Sequence, residues 1–254
     1  TPFSRIKSLY ADITVETARA LGYITGNLKK EEVFGILRRT TDPQTIYKKQ
    51  KLDRDDIIDI TDLDVVAWLK KEMQVMLKEE LARAILISDG RDPVAEADDK
   101  IGETHIRPIW KDDDVYSHKV QVALNDTVDE IIDAIITARI NYKGSGSPAL
   151  YCAPSFLTSM LLLKDTVGYR VYKTEAELAS ALRVSRIIEV PLMENQVREA
   201  GVTDYTLLGI ITNLKDYTIG ADKGGQTTFF EDFDIDYNQQ KYLFETRVSG
   251  ALTK

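Results

Sequence analysis

DLDVVAWLKKEMQVMLKEELARAILISDGR, residues 62–91, is the stretch whose reading decides the fold. At about 100° per residue, Leu63, Val66, Leu69, Met73, Met76, Leu77, Leu81, Ala84 and Ile87 gather on one side of a helix. Thr61 or Asp62 can cap its start, Asp64 suits the first turn, and Gly90 can end it. From Leu63 to Ser88 such a rod runs roughly 40 Å, whereas a compact chain of this length is only about 45 Å across. Its back is not cleanly polar: Trp68, Val75, Ala82 and Leu86 line up among Lys71, Glu72, Lys78 and Glu79. Two readings stay open. The helix is sandwiched within its own domain, or it is a spine with its own fold on one face and a neighbouring chain on the other. In the second reading Trp68, Val75 and Leu86 are candidate inter-subunit contacts.

The segment before this helix, residues 1–60, looks least like a globular core. Pro2–Tyr10 alternates too weakly to decide strand or coil, and residues 28–39 suit a short helix or a strand, with Gly35 weakening the helix. Thr40–Pro43 signals a turn and Thr45–Leu52 reads as extended. Charge is then segregated, with Arg38, Arg39, Lys48, Lys49 and Lys51 preceding Asp53, Asp55, Asp56, Asp59 and Asp62. A two-stranded projection of this kind is marginal alone in water, and complementary charge blocks suit register-setting between copies. Arg38, Arg39, Lys48, Lys49, Lys51, Asp53, Asp55 and Asp56 are therefore further contact candidates, the alternative being a solvated hairpin with no specific role.

Beyond the helix, a loop leads to an extended Asp114–Leu124. A capping box, Thr127 to Glu130, opens a second helix through Ile131, Ile132, Ile135 and Ile136. KGSGSP, residues 143–148, turns the chain into a buried strand at Ala149–Ala153, and Pro154 suits the first turn of a helix carrying Phe156, Leu157 and Met160. A helix at Glu175–Leu182 and strands at Arg186–Val190 and Thr206–Thr212 complete an α/β lobe over residues 120–212. In the tail, Phe233, Ile235 and Tyr237 alternate with aspartates, and Asp236–Gln240 is the hairpin turn before Tyr242 and Phe244.

The 254 residues, 43% apolar, suffice for a sizeable core in one elaborate domain or two small ones. With 33 basic against 41 acidic side chains, net −8, the chain has no global attraction to nucleic acid or anionic membrane. A lone Cys152 excludes an intrachain disulfide and agrees with a reducing compartment. No apolar run approaches the ~20 residues of a membrane span.

Chemistry-bearing patterns fail on inspection. Asp232-x-Asp234-x-Asp236 resembles the start of a calcium loop, but Tyr237 stands where glycine is needed and Leu243 where a bidentate glutamate is needed. His105 and His118 are too few for a zinc site. Ser155 or Cys152 with His118 as base lacks any nucleophile elbow, and Gly144–Ser147 and Gly224–Gly225 lack the ending of a phosphate loop. Tyr23 and Tyr47 beside lysines could stack on single-stranded nucleic acid, but the adjacent acidic run opposes it. No catalytic residue, metal ligand or cofactor is assigned.

An arm-like, charge-segregated first quarter leads into the overlong helix ending in Asp89-Gly90, then the block ALYCAPSFLTSMLLLKDTVGYRVY, then TFFEDFDIDYNQQKYLFETRVSGAL. In that order the elements resemble the major capsid protein of a tailed bacteriophage, the Hong Kong 97 fold, over nearly the whole chain. The resemblance implies an α+β fold with an N-terminal arm at 1–18 and an extended loop at 19–60. A peripheral domain would comprise 61–119 and 213–254 around the spine helix, and an axial domain 120–212. It further implies pentamers and hexamers in an icosahedral head shell, formed through a procapsid and enclosing double-stranded DNA without sequence-specific binding. Portal, scaffolding segment or protein, and maturation protease would be partners, and the location would be the virion after assembly in the host cytoplasm. A chain beginning at Thr1 would suit proteolytic removal of a scaffolding segment. Some members form Lys–Asn isopeptide bonds, but Lys48, Lys49, Lys51 and Asn238 align with no crosslinking motif. An encapsulin-type nanocompartment shares this architecture, and a soluble enzyme with an α/β lobe is the reading from another class.

Overall fold

The structure, a computed structural model, describes residues 5–12, 35–59, 64–92, 94, 99–200, 203–222 and 226–253. It opens with an antiparallel pair, β1 (Lys7–Asp12) and β2 (Gly35–Thr40), in register from Lys7↔Thr40 to Asp12↔Gly35. Of the expected helix or strand at 28–39, the described part is strand. β3 (Gln44–Asp53) follows and ends in a short helix, α1 (Arg54–Asp59). The long helix is α2 (Val65–Leu86), of 22 residues. Asp64 caps it, its Oδ1 accepting the Ala67 N–H at 2.9 Å. The expected caps Thr61 and Asp62, and Leu63, lie outside the described residues.

Along α2, Met73, Leu77 and Ala84 are buried, and Val66, Leu69 and Leu81 are partly so. Met76, expected with them, is exposed because it sits at the margin of the stripe. The helix stops differently from the expectation. Ile87 and Ser88 both donate to the Arg83 carbonyl, and the first left-handed residue is Ser88 (φ 99°), ahead of Gly90 (φ 76°). A serine tolerates this because it is buried and its hydroxyl is held by Glu103 at 2.9 Å.

This helix lies on a four-stranded antiparallel sheet centred on β11 (Gln239–Leu252). β3 pairs along one edge of β11 over ten residues; β9 (Tyr217–Ala221) and β10 (Thr228–Asp234) share the other. Paired residues point to one face. The rows Ile46–Thr246, Lys48–Phe244–Phe229 and Gln50–Tyr242–Glu231 therefore face α2, and Ile46, Phe244, Tyr242 and Val248 pack with Met73 and Leu77. Residues 45–52, expected to be extended, thus run within a sheet strand of their own chain. The pairing satisfies their backbone and buries Ile46, which a free loop would leave exposed.

The second core lies in the lobe after residue 127. α3 (Val128–Ala138) starts with the expected capping box, Thr127 and Glu130 bonding reciprocally. β4 (Ala149–Cys152) is buried at every position, between β5 (Ile187–Glu189, parallel) and β8 (Gly209–Thr212, antiparallel). It does not alternate, as expected of a strand covered on both faces. α4 (Pro154–Leu162), with Pro154 in its first turn, and α5 (Glu175–Ala181) supply Leu157, Met160 and Leu178 to that core. A side hairpin is formed by β6 (Val197–Ala200) and β7 (Thr203–Thr206). The expected extended run at 114–124 is instead turn and irregular chain. Ile85 packs against both cores, so the end of α2 joins them.

Candidate assembly surfaces

Three places on the molecule hold the residues expected as inter-subunit contacts or leave apolar side chains open. The first is the outward face of α2. Trp68 (62% exposed) and Val75 lie opposite the buried Met73–Leu77–Ala84 stripe, flanked by exposed Lys71, Lys78 and Glu79. Leu86, expected on this face, is half-buried against the chain's own lobe core: the helix end turns it toward Trp110 N–H, which bonds the Leu86 carbonyl.

The second is the distal end of the four-stranded sheet. There the β10–β11 turn and α1 meet, Arg54 N–H donating to the Asn238 carbonyl at 3.1 Å. The alternation of Phe233, Ile235 and Tyr237 does not separate inside from outside. Ile235 and Tyr237 lie in the turn and are 84% and 72% exposed, with Phe233 and Ile58 also open. Asp55 and Asp56 in α1 and Asp236 in the turn are exposed, while Asp232 stands in one cross-strand row with Lys241 and Lys51 on the face away from α2. Asp53 is half-buried and its carboxylate accepts the Asp55 N–H. Asp234 is tied to Lys241, whose hydrogen bond, the largest influence, holds the Asp234 carboxyl below its ordinary range.

Strand alternation divides the three expected lysines. Lys48 faces α2 and is half-buried; Lys49 and Lys51 point to the opposite, exposed face with Tyr47. They do not form one patch. Beyond them β3 has no strand partner on its outer edge among the described residues.

The third is the root of the β1–β2 pair. Arg38 occupies β2 opposite Leu9. Arg39, expected as an inter-subunit contact candidate, is buried within its own chain. Its Nη2 meets Asp112 Oδ1 at 2.5 Å, Nη1 donates to the Leu252 carbonyl at 3.2 Å, and the guanidinium lies 4.1 Å from the Tyr116 ring centre. Planar stacking and a carboxylate partner make this desolvation tolerable for arginine. Nearby Thr41, also buried, exchanges two bonds with Ile6. Sequence spacing held no sign of the partner, 73 residues away.

The residues weighed for chemistry are scattered. Cys152 is fully buried and burial pushes its thiol up to about 11, which makes it a poor nucleophile. His118 faces Asn141 at 3.2 Å, and His105 Nδ1 lies 2.8 Å from the Asp42 carbonyl. The Ser145 turn is structural: Asp216 accepts its N–H at 2.6 Å and its hydroxyl at 2.5 Å. Among the described residues no cluster of three or more His, Cys, Asp or Glu is placed to hold a metal ion, and no helix is long and apolar enough to cross a membrane.

No protein-family model and no curated protein sequence matches the chain. Solved structures do. A Mycobacterium phage Ogopogo structure superposes with TM-score 0.69 at 14% identity, over all of this chain and 85% of that one. The capsid of a native GTA particle gives 0.67 at 13%, covering 99% of this chain and 82% of the other. This is the Hong Kong 97 capsid fold. A Mycobacterium phage Bobi structure agrees, with TM-score 0.63 at 10% identity over 100% and 80% of the two chains. At such identities the likeness is one of fold.

Proposed function

We propose that the chain is a structural shell protein of a tailed-phage head, whose copies assemble as pentamers and hexamers into an icosahedral capsid around double-stranded DNA. The observation that supports this most is the superposition of the whole chain on capsid structures at TM-scores near 0.7. A surface that leaves Trp68, Ile235 and Tyr237 open to water fits a role completed by neighbours. Its organisation would be an arm at 1–18 and a loop at 19–60 that shares residues 44–53 with the peripheral sheet. The peripheral domain would span 61–119 and 213–254, and the axial domain 120–212. Portal, scaffold and maturation protease would act on the assembled shell, which places the protein in the virion after assembly in the host cytoplasm. The role is mechanical rather than catalytic. A net charge of −8 keeps such a shell from collapsing onto packaged DNA.

Sedimentation and negative-stain imaging of the purified chain test the reading. Megadalton shells or ring-shaped capsomers are expected. A species that stays a monomer or small oligomer at high concentration, in the presence of excluded-volume polymer, would overturn it.

A further inference from the structure

β1 and β2 pair with each other and, among the described residues, with no other strand. The chain passes from β2 into the four-stranded sheet through residues 41–43, which form neither helix nor strand. A two-stranded projection on so short a joint swings unless its root is held, and its own pairing cannot hold it. The root is anchored on both sides of the joint. After it, the Asp42 carbonyl lies 2.8 Å from His105 Nδ1, and the Gln44 side-chain amide bonds the Lys100 carbonyl at 3.1 Å and the Gly102 N–H at 2.8 Å. Within it, buried Thr41 bonds Ile6 both ways and so carries the β1 side. Before it, Arg39 is buried against Asp112, Leu252 and Tyr116.

Stability alone does not account for an arginine at that place. Taking two charges out of water costs about as much as their attraction returns, so an apolar pair of equal volume would hold the fold as well or better. Nor is the pair fully bonded, since Arg39 Nε and Asp112 Oδ2 are buried without a hydrogen-bond partner among the described residues. What an apolar pair lacks is direction. The planar guanidinium meets the Asp112 carboxylate, the Leu252 carbonyl and the Tyr116 ring together in one placement only. We propose that Arg39 is a positioning residue that aims the β1–β2 projection at one fixed angle to the four-stranded sheet in the free subunit, with Asp112, Leu252 and Tyr116 as its seat. A projection aimed beforehand loses less freedom when it meets another molecule. The inference goes beyond the shell reading and holds for the single subunit.

Spin labels at Asp12→Cys, the far end of β1, and at Lys78→Cys, on the exposed face of α2, read that angle as a distance. Native Cys152 is fully buried and stays unlabelled. Labelled chains diluted among unlabelled ones confine the signal to pairs within one subunit, whether or not shells form. The wild-type background should give one narrow distance. Arg39→Met with Asp112→Leu should keep a urea midpoint near that of the wild type yet replace the narrow distance with a broad distribution. Where that pair fails to fold, Arg39→Lys takes its place: an ammonium keeps the charge but neither forks nor stacks, and the same broadening is expected. A narrow, wild-type distance in a folded variant would reduce the pair to a stabilising contact and overturn the proposal, as would a broad distribution in the wild-type background. The measurement needs no shell, so its failure leaves the shell reading standing, and a chain that never assembles leaves this result intact.

Discussion

Arg39 illustrates how much one side chain can decide. Its guanidinium joins the end of β2 to the 107–119 segment through Asp112 and to the last residues of β11 through Leu252. Arg39 Nε and Asp112 Oδ2 are both buried without a bonding partner among the described residues, so the pair is only half satisfied. Removing one member leaves the other as an uncompensated buried charge. Arg39→Ala or Asp112→Ala should each cost the subunit about 3–5 kcal/mol in urea unfolding, whereas a double replacement by Met and Leu should recover most of that loss. A double variant no better than the singles would contradict this account. Glu103 makes a pH-dependent contribution. Burial pushes its carboxyl up, but the hydrogen bond and charge of Lys111, with the Ser88 hydroxyl and the charge of Lys100, outweigh burial and leave it below its ordinary 4.5. Its ionised form therefore adds stability above that value, and the gain is lost as pH falls through the depressed folded value. Urea midpoints measured from pH 6 to pH 3 should fall less steeply for Glu103→Gln than for the wild type; parallel curves would dismiss the assignment.

At the scale of elements, local rules and packing rules act separately. The start of α3 is local: Thr127 and Glu130 satisfy each other's end of the helix regardless of the remaining fold. Thr127→Ala should cost about 1 kcal/mol, read as a lowered thermal midpoint with an unchanged fold. The pairing of β11 with β9 depends on the whole sheet. Gly250 lies so close to the Tyr217 ring and hydroxyl that a Cβ there would collide with both. Tyr217 is itself fixed by its hydrogen bond to the Arg107 carbonyl at 3.0 Å, and burial, then the charge of Asp112, raise its phenol well above the ordinary range. Gly250→Ala should destabilise by about 1–3 kcal/mol through overpacking, as measured by urea unfolding. The companion change Tyr217→Phe should relieve part of that strain, and a cost unaltered by it would point elsewhere.

For the whole molecule, assembly should be visible in tryptophan emission. Trp110 is already packed against the lobe core, while Trp68 is open to water on the outward face of α2. If that face meets a neighbour, emission should move to shorter wavelength as shells form, and Trp68→Phe should abolish the shift. Shells that form with no change in emission would place α2's outward face on a free surface. The aggregate of such contacts matters more than any one. An exposed ion pair is worth only about 0–1 kcal/mol, but a closed shell repeats each contact many times.

Much of this architecture was legible in the chain. The 3.6-residue period of residues 64–87, the capping box at Thr127, Pro154 at a helix start and the all-apolar run 149–153 are local signals, and each produced the element it announced. The order of those elements carried the resemblance to a capsid fold. Pairings between distant segments were not legible, because hydrogen-bonding partners across a sheet and the partners of a buried charge leave no mark at either position alone. That is why Thr45–Leu52 was legible as extended but its partner strand was not, and why Arg39 was grouped with Lys48, Lys49 and Lys51 in one basic block of contact candidates. In the folded chain β11 claims the strand, Asp112 claims the arginine, and the two-residue period of the strand sends Lys48 to one face and its two neighbours to the other. Local sequence specified the pieces, and only tertiary packing selected which of their faces remained open to another molecule.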